Sequence, residues 1–275
     1  MNTYEIVSDK IIKQLENGVI PWHKPFNELR KGSFNRVTMK PYSLLNQLCL
    51  SKPGEYASLK QWSKLGGKIK KGSKAEQVVY WNFIKKEKKD KDGNIKKDKN
   101  GNPIMENIPV LKYFSVFHID DVEGVNPITN IDNKDVQNLE DADEIIFDYL
   151  LRENIHININ KNNISKYIVD TDTIYIPEKS QYKSTEHYYN DMFVNCVKST
   201  GINNRLNRTK VENESIISEI AASILMTELQ IETKEVFDNS VSYINECINK
   251  IKENPKWIVS VVGKSEKAVK YILGE

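Results

Sequence analysis

The chain has 275 residues, of which 39% are hydrophobic and 28% charged, a composition typical of a soluble globular protein. No apolar run approaches the roughly 20 residues that a membrane-spanning helix needs, and the N-terminus lacks the basic and apolar regions of a secretory signal. The cysteines, Cys49, Cys196 and Cys247, are far apart and form no C-x-x-C pair. This usage is typical of reduced thiols. We therefore expect a cytoplasmic protein without a membrane partner.

Charge is distributed unequally along the chain. Residues 1–126 hold 23 Lys and Arg against 14 Asp and Glu, a net charge of +9, which leaves 17 basic and 24 acidic residues after them, a net charge of −7. The asymmetry predicts two domains, at 1–126 and 141–275, joined by an acidic linker at 127–140. Nucleic acid is the first candidate partner of the basic half. The alternative is that a lysine-rich insertion inflates the count.

The first half mixes helical and strand patterns. Apolar spacing predicts helices over 3–17, around 44–48 and over 58–65. Aromatic and β-branched residues predict strands over 77–83 and 111–119. Between these strands, residues 85–107 are rich in lysine and contain Asp92-Gly93 and Asn100-Gly101, which predicts a long, mobile hairpin.

Aromatic rings alternate with cations through this half, as in proteins that stack the bases of single-stranded nucleic acid and attract its phosphates. Trp62 and Trp81 lie in apolar-patterned elements, so we expect them in the core. For Trp22 and Tyr42, which lie in loops beside Pro and Lys, core and surface roles are equally open. The candidate nucleic-acid-binding residues are Trp22, Lys24, Asn35, Arg36, Lys40, Tyr42, Asn46, Lys71, Lys74 and Tyr80.

The second half is mostly helical with a small sheet. Strands are predicted at 155–159 and, as a hairpin, at 167–169 and 173–177. Apolar periodicity predicts the helices. Their expected bounds are 142–153, a helix from about 185, 214–229, 235–253, 255–262 and 264–273. The predicted fold class is therefore α+β.

Eight sequence blocks resemble one family. The blocks GVIPWHKPF, NRVTMKPYSLLN, GGKIKKGSKAEQVVYW and YFSVFHIDDVEGV resemble the N-terminal domain of ArdC-type antirestriction proteins, which are carried by conjugative plasmids and phages. The blocks DTIYIP, HYYNDMF, STGINNRLNR and ESIISEIAASILMTEL resemble the zincin-type metallopeptidase domain that follows it. The resemblance implies a small α+β domain that binds single-stranded DNA, followed by a zincin-like domain.

The family's His-Glu-x-x-His motif is degenerate here. The resemblance places its first His at Val194, its general-base Glu at Asn195, its second His at Lys198 and its third metal ligand at Glu219. Val194 has no lone pair for a metal, Lys198 repels one, and Asn195 cannot take a proton from water. We therefore expect no catalytic residue, no metal and no cofactor. We also expect the Lys198 ammonium to contact Glu219 in place of the metal, because a buried carboxylate needs a partner.

Three functions remain open on the sequence. The first is a mobile-element antirestriction or anti-defence protein that binds single-stranded DNA and carries a pseudo-metallopeptidase domain. The second is an active metallopeptidase with a rearranged site of His187, Cys196 and Glu219, although about 100° per residue places the first two on opposite helix faces. The third is an inhibitor whose acidic second half binds a host defence nuclease.

Overall fold

A computed structural model describes residues 2–23, 32–128, 139–208, 213–231, 236 and 241–275. It contains helices and several small sheets, so the predicted α+β class is confirmed. The calls on Lys24 and on most of the 127–140 linker lie outside the described residues. Within the described part of the chain, no helix combines the length and the apolarity that a membrane span requires.

The first half begins with helix α1 (Thr3–Glu16). Asn2 caps it, because its side chain accepts from the Glu5 N–H while the Glu5 carboxylate accepts from the Asn2 N–H. The predicted apolar stripe is confirmed, and its buried members include Val7, Ile11 and Leu15. A short 3-10 turn, Pro21–His23, follows α1.

The first half also contains a four-stranded sheet in which β1 (Ser33–Asn35), β2 (Gly54–Ala57), β5 (Met105–His118) and β4 (Glu76–Glu87) lie in that order. Strands β4 and β5 make a long antiparallel arm in which Tyr80 pairs with Lys112 and Val79 with Tyr113. The lysine-rich segment predicted as a hairpin joins them. The elements of this half are β1 (Ser33–Asn35), α2 (Leu44–Cys49), β2 (Gly54–Ala57), α3 (Leu59–Lys64), β3 (Lys68–Ile69), β4 (Glu76–Glu87), β5 (Met105–His118) and β6 (Val122–Glu123).

The two tryptophans that we expected in the core have different surroundings. Trp62 is fully buried, as expected, and its indole N–H donates to the Phe117 carbonyl at 2.9 Å. Trp81 is 51% exposed, so the expectation is wrong for it. Its ring makes an edge contact with Tyr4 near the start of α1, with the ring centroids 6.5 Å apart. At Trp81 the arm extends beyond the elements that pack against it. The apolar pattern of a strand does not show how far along the strand other elements bury it.

The second half is helical around a three-stranded sheet. The predicted hairpin is confirmed, since β8 (Lys166–Ile168) pairs antiparallel with β9 (Thr173–Pro177), and β7 (His156–Asn160) adds to β9 in parallel. The elements are α4 (Leu139–Glu153), β7 (His156–Asn160), β8 (Lys166–Ile168), β9 (Thr173–Pro177), α5 (Thr185–Ser199), α6 (Glu214–Glu228), α7 (Val241–Glu253) and α8 (Lys256–Leu273).

The helices predicted at 255–262 and 264–273 are a single helix, α8. The predicted bounds leave a break at Gly263, where glycine lowers helix stability by about 1 kcal/mol relative to alanine. The residues on both sides bury one continuous apolar face that includes Val262 and Val269. That burial outweighs the cost of one glycine, so the helix continues through it.

One hydrophobic core extends through both halves. It joins Ile11 and Leu15 of α1 to Ile217 of α6 and Val262 of α8. Ser8 of α1 also donates to the Pro255 carbonyl at 3.1 Å, just before α8. The division of the chain into domains at 127–140 remains a prediction, since a core that is shared in this way does not mark a boundary.

The shared core predicts that one substitution in α1 destabilises the whole chain. Leu15→Ala should lower the free energy of unfolding by about 2–5 kcal/mol, because Leu15 is only 1% exposed and its truncation leaves a cavity. Urea unfolding followed by circular dichroism and by tryptophan fluorescence should show one transition that shifts as a unit. Leu65→Ala, at a 42% exposed site, is the control and should change stability by less than about 0.5 kcal/mol. Two separate transitions, of which only one shifts, would contradict a shared core.

Candidate functional site

Glu219 of α6 lies at a meeting point of the two halves. Its Oε1 accepts hydrogen bonds from the Trp22 indole N–H at 3.3 Å, from His23 Nε2 at 2.8 Å and from the Tyr243 hydroxyl at 2.6 Å. The His23 side chain is 6% exposed and that of Glu219 24% exposed. We call these four residues the Glu219 cluster. Three donors supply the compensation that a largely buried carboxylate needs.

The Pro21–His23 turn is fixed on α6 by a second contact. The Ser223 hydroxyl, one turn beyond Glu219, donates to the Trp22 carbonyl. Trp22 is fully buried in the shared core, so in this structure its ring has no face open to a base. The sequence leaves core and surface roles equally open for Trp22, and in the structure it lies in the core. Burial of the Trp22 ring against the second half is a long-range contact that the local sequence does not reveal.

Tyr243 remains a neutral donor in the Glu219 cluster. Burial raises its pKa far above the ordinary value of 10.0, and the negative charge of Glu219 raises it further. The Tyr243 and His23 rings lie nearly parallel, with centroids 6.4 Å apart. The hydroxyl therefore keeps its proton and continues to donate to the carboxylate across the ordinary pH range.

The predicted ion pair between Lys198 and Glu219 is wrong. Among the residues that the structure describes, Glu219 hydrogen-bonds to His23, and no salt bridge joins it to Lys198. Val194, in the first-His slot, packs half-buried against the core. Asn195, in the general-base slot, is 1% exposed, and its amide donates to Ser165 Oγ at 2.9 Å and to the Asp191 carbonyl at 2.8 Å. Both side chains make contacts that support packing.

The turn after α5 is held by buried ion pairs. Arg205, whose side chain is 1% exposed, donates to Asp172 at 2.7 Å and to Glu153 at 3.0 Å. Arg208 donates to Glu214 at 2.7 Å and to the Val197 carbonyl at 2.8 Å. These bonds tie the turn to α4, α6 and the small sheet. The elements around residues 194–198 are therefore held together by ion pairs and hydrogen bonds within the chain.

The residues at the family's metal position do not fit a metal. Within the described ranges, no three or more His, Cys, Asp or Glu side chains lie close enough together to hold an ion. In the rearranged site that we considered, Nδ1 of His187 is 2.9 Å from Ser184 Oγ at the start of α5, and Cys196 is fully buried in the core. Burial raises the pKa of the Cys196 thiol to about 12, which disfavours the thiolate that a metal would require.

A cavity of about 670 Å³ lies between the arm and α8. We call it the arm cavity. The structure brings together around it five of the candidate nucleic-acid-binding residues, namely Asn35, Lys40, Tyr42, Asn46 and Tyr80. Sequence reasoning missed its other principal lining residues, which are Gln61, Trp81, Phe114, Val259, Gly263 and Glu266. The last three come from a helix about 180 residues after Tyr80 in the chain, so no local pattern connects them to it.

The remaining candidates have different surroundings. Lys71 and Lys74 are exposed but do not line the arm cavity. The Arg36 guanidinium forms a salt bridge with the buried Glu55 carboxylate. Asn46 is 4% exposed, and its amide bonds to both the Val79 N–H and the Val79 carbonyl, at 2.7 and 2.8 Å. Arg36 and Asn46 therefore support the fold with the groups that we expected to contact nucleic acid.

Large aromatic rings are exposed along the arm. Trp81, Phe83 and Tyr113 are 51, 65 and 48% exposed and, by strand alternation, project from one face. Phe114 is 54% exposed on the other face, where its ring stacks on Tyr80 with centroids 4.4 Å apart. The exposed lysines of the arm next to these rings include Lys85, Lys86 and Lys112. Rings beside cations form a surface suited to stacking bases and attracting phosphates.

Comparison with known proteins identifies the type of chain. Residues 1–117 match the family model of the N-terminal domain of anti-restriction factor ArdC, and residues 144–263 match that of a zincin-like metallopeptidase. The chain combines these two domain families, an arrangement that we call ArdC-type. The resemblance of its sequence blocks is thereby confirmed for both parts of this ArdC-type chain.

Solved structures agree with this ArdC-type fold. The metal-free crystal structure of the antirestriction ArdC protein from the R388 plasmid superposes with a TM-score of 0.74 at 22% identity, covering 99% of this chain and 97% of that chain. The Mn(II)-bound structure gives 0.73 at 21% identity, covering 100% and 98%. At this identity the likeness shows the fold.

Curated relatives of the ArdC-type chain are longer. Two Escherichia coli proteins named DNA primase TraC are 26% identical to it over 291 and 290 residues, in each case 98% of this chain. These matches cover 27% and 20% of the relatives. The chain thus spans only about a quarter of the length of the curated relatives that it matches.

The Glu219 cluster predicts the effect of removing one donor. Tyr243→Phe should lower the free energy of unfolding by about 1–3 kcal/mol at pH 7, because a largely buried carboxylate loses its closest partner. Unfolded tyrosine ionises near pH 10 while buried Tyr243 stays neutral, so the difference from wild type should shrink as the pH rises above about 10. Urea unfolding of both proteins at pH 7 and at a pH above about 10 measures this difference in the free energy of unfolding. Tyr113→Phe, at an exposed site, is the control. Equal losses in the two variants would contradict the role of the Tyr243 hydroxyl.

Proposed function

We propose that this ArdC-type chain is an antirestriction protein of a mobile element that binds single-stranded DNA through its basic first half. The observation that carries the proposal is the row of exposed rings on the arm, where Trp81, Phe83 and Tyr113 lie beside lysines. Single-stranded DNA exposes the flat faces of its bases, and each base that stacks on a ring contributes about 1–3 kcal/mol.

Charge supports single-stranded DNA over a protein partner for this surface. Residues 1–126 carry a net charge of +9 (23 basic less 14 acidic residues), and Lys40, Lys71 and Lys74 are exposed. Exposed rings alone would also suit a protein partner, but a strong positive charge favours a polyanion. Binding should therefore weaken steeply as salt rises, because each neutralised phosphate releases counterions.

In the same proposal, the second half is a metallopeptidase fold without metal chemistry. Val194, Asn195 and Lys198 offer no ligand set, and the Glu219 carboxylate accepts from three protein donors. We assign the second half the role of a scaffold, because α6 fixes the Pro21–His23 turn and α8 packs against the sheet half. A metallopeptidase with a rearranged site and an inhibitor of a host nuclease are the other outcomes of the experiments below.

The arm predicts a specific loss of DNA affinity. Phe83→Ala should weaken binding of a fluorescein-labelled dT20 strand by about 5- to 150-fold, the value of one stacked base. Phe147→Ala is the matched control, since Phe147 is 63% exposed against 65% for Phe83 but lies in the acidic half. Fluorescence anisotropy over a salt series measures both the affinity and its salt dependence. No binding by wild type at low salt would overturn the DNA proposal.

The same two variants test the biological role. Plasmid transfer into a restricting host should be protected by wild type and by Phe147→Ala, and less by Phe83→Ala. If Phe83→Ala protects fully and Phe147→Ala does not, the protective surface is in the acidic half, and the defence-protein inhibitor becomes the better proposal.

The degenerate motif predicts no metal response. Adding Mn(II) or Zn(II) should leave the Tm of wild type unchanged, because the proposal assigns it no ligand set. A metal that did bind would add about 2.7 kcal/mol of stability at 100 times its Kd, which would raise the Tm. Val194→His combined with Lys198→His is the positive control, as it places two imidazoles at i and i+4 on α5, which packs on α6. That double variant should gain a metal-dependent rise in Tm. One equivalent of bound metal in wild type, by elemental analysis, would revive the metallopeptidase.

A further inference from the structure

We propose that the arm cavity binds a single unstacked nucleobase of the DNA strand, with α8 of the second half as one wall. This inference rests on the proposed function and assigns a particular site to one base. The cavity volume of about 670 Å³ is within the range of sites that enclose small ligands. It is also open beside the exposed rings of the arm, where the strand is proposed to lie.

The walls of the arm cavity suit a flat aromatic group. Tyr80 and Phe114 form a stacked ring pair on one side, with centroids 4.4 Å apart and planes within 5°. Apolar residues of β4, β5 and α8 contribute the other surfaces, including Val78, Val116 and Val259. A base that enters can continue the existing stack and bury its faces against aliphatic carbon.

Polar groups in the cavity can exchange their present partners for a base. The amide nitrogen of Asn35 is 3.4 Å from the Tyr42 hydroxyl and 3.3 Å from Gln61 Oε1, and Gln61 Nε2 is 3.4 Å from Asn35 Oδ1. These distances lie beyond the usual range for a hydrogen bond, so the bonds are weak. The amide oxygens are held more firmly, since Asn35 Oδ1 accepts from the Val37 and Thr38 N–H groups at 3.1 and 3.0 Å and Gln61 Oε1 from the Ser58 N–H at 2.9 Å. The two amide nitrogens are therefore the groups that can turn to an acceptor on the edge of a base.

The charges decide which part of a nucleotide enters. The Glu266 carboxylate lines the cavity from α8 and would repel a phosphate there. Lys40, which also lines the cavity, is exposed, and exposed Lys112 lies opposite Tyr80 on β5. A nucleotide is therefore oriented with its base toward α8 and its phosphate toward the lysines.

Gly263 provides a direct way to block the site. A Cβ built at Gly263 meets no atom within 4 Å, and the residue lies in the interior of α8 where it lines the cavity. Its backbone is ordinary helix, so a side chain is tolerated there and projects into open space. Gly263→Phe should fill the cavity with a ring, whereas Gly263→Ala adds one methyl group and is the matched control.

The test compares these variants on strands with and without bases. Gly263→Phe should bind labelled single-stranded DNA at least about fivefold more weakly than Gly263→Ala, the lower limit for loss of one stacked base. On an abasic strand of equal length, the two variants should bind equally. A 2-aminopurine strand should be quenched by wild type and by Gly263→Ala, and less by Gly263→Phe. Far-UV circular dichroism and Tm establish that each variant is folded.

The outcomes separate this inference from the proposed function. If wild type binds no single-stranded DNA, the proposed function fails. If wild type binds while Gly263→Phe and Gly263→Ala match in affinity and quenching, the arm cavity holds no base and only this inference fails. Should Gly263→Phe not fold, Phe114→Ala replaces it, since Phe114 is 54% exposed and its loss removes part of the stack. Unchanged quenching in Phe114→Ala would then overturn the inference.

Discussion

A single carboxylate oxygen connects the two halves of this ArdC-type chain. Oε1 of Glu219 accepts from Trp22 and His23 of the first half and from Tyr243 of the second. In a zincin site, the corresponding carboxylate would donate its electrons to a metal ion. Here N–H and O–H dipoles supply the positive potential, so the residue has a structural use in this chain. This contact and the hydrogen bond from the Ser223 hydroxyl to the Trp22 carbonyl together fix the Pro21–His23 turn on α6.

The parts of the fold that were predictable have a local physical cause. Apolar stripes located the helices, as with Ile11 and Leu15, and β-branched runs located the arm and the hairpin of the small sheet. The predictions that were wrong concern contacts between residues that are distant in sequence. Trp81 lies in an apolar-patterned strand, but the residue is 51% exposed. Gly263 is a residue that weakens helices, but tertiary packing on both sides of it keeps α8 continuous. Local pattern fixes the type of an element and leaves its surroundings open.

The candidate site shows the same limit. The sequence indicates only that certain residues suit contact with nucleic acid. The structure brings five of them together around one cavity, namely Asn35, Lys40, Tyr42, Asn46 and Tyr80. The wall from α8 was missed because nothing in residues 256–273 differs from an ordinary amphipathic helix. The partner of Glu219 was also misassigned. Lys198 was chosen by charge and position in the motif, whereas the chain supplies His23 from 196 residues away.

The shared core has a consequence for how this protein can change by recombination. The apolar stripe of α1 is covered by helices of the other half, so a gene shortened to the first half would encode a chain with that stripe in water. The second half is therefore needed for the fold of the first, whatever chemistry it carries. Selection for the first half alone retains α6 and α8, since their side chains complete its interior. A zincin-like domain can be retained because it has become part of its neighbour's fold.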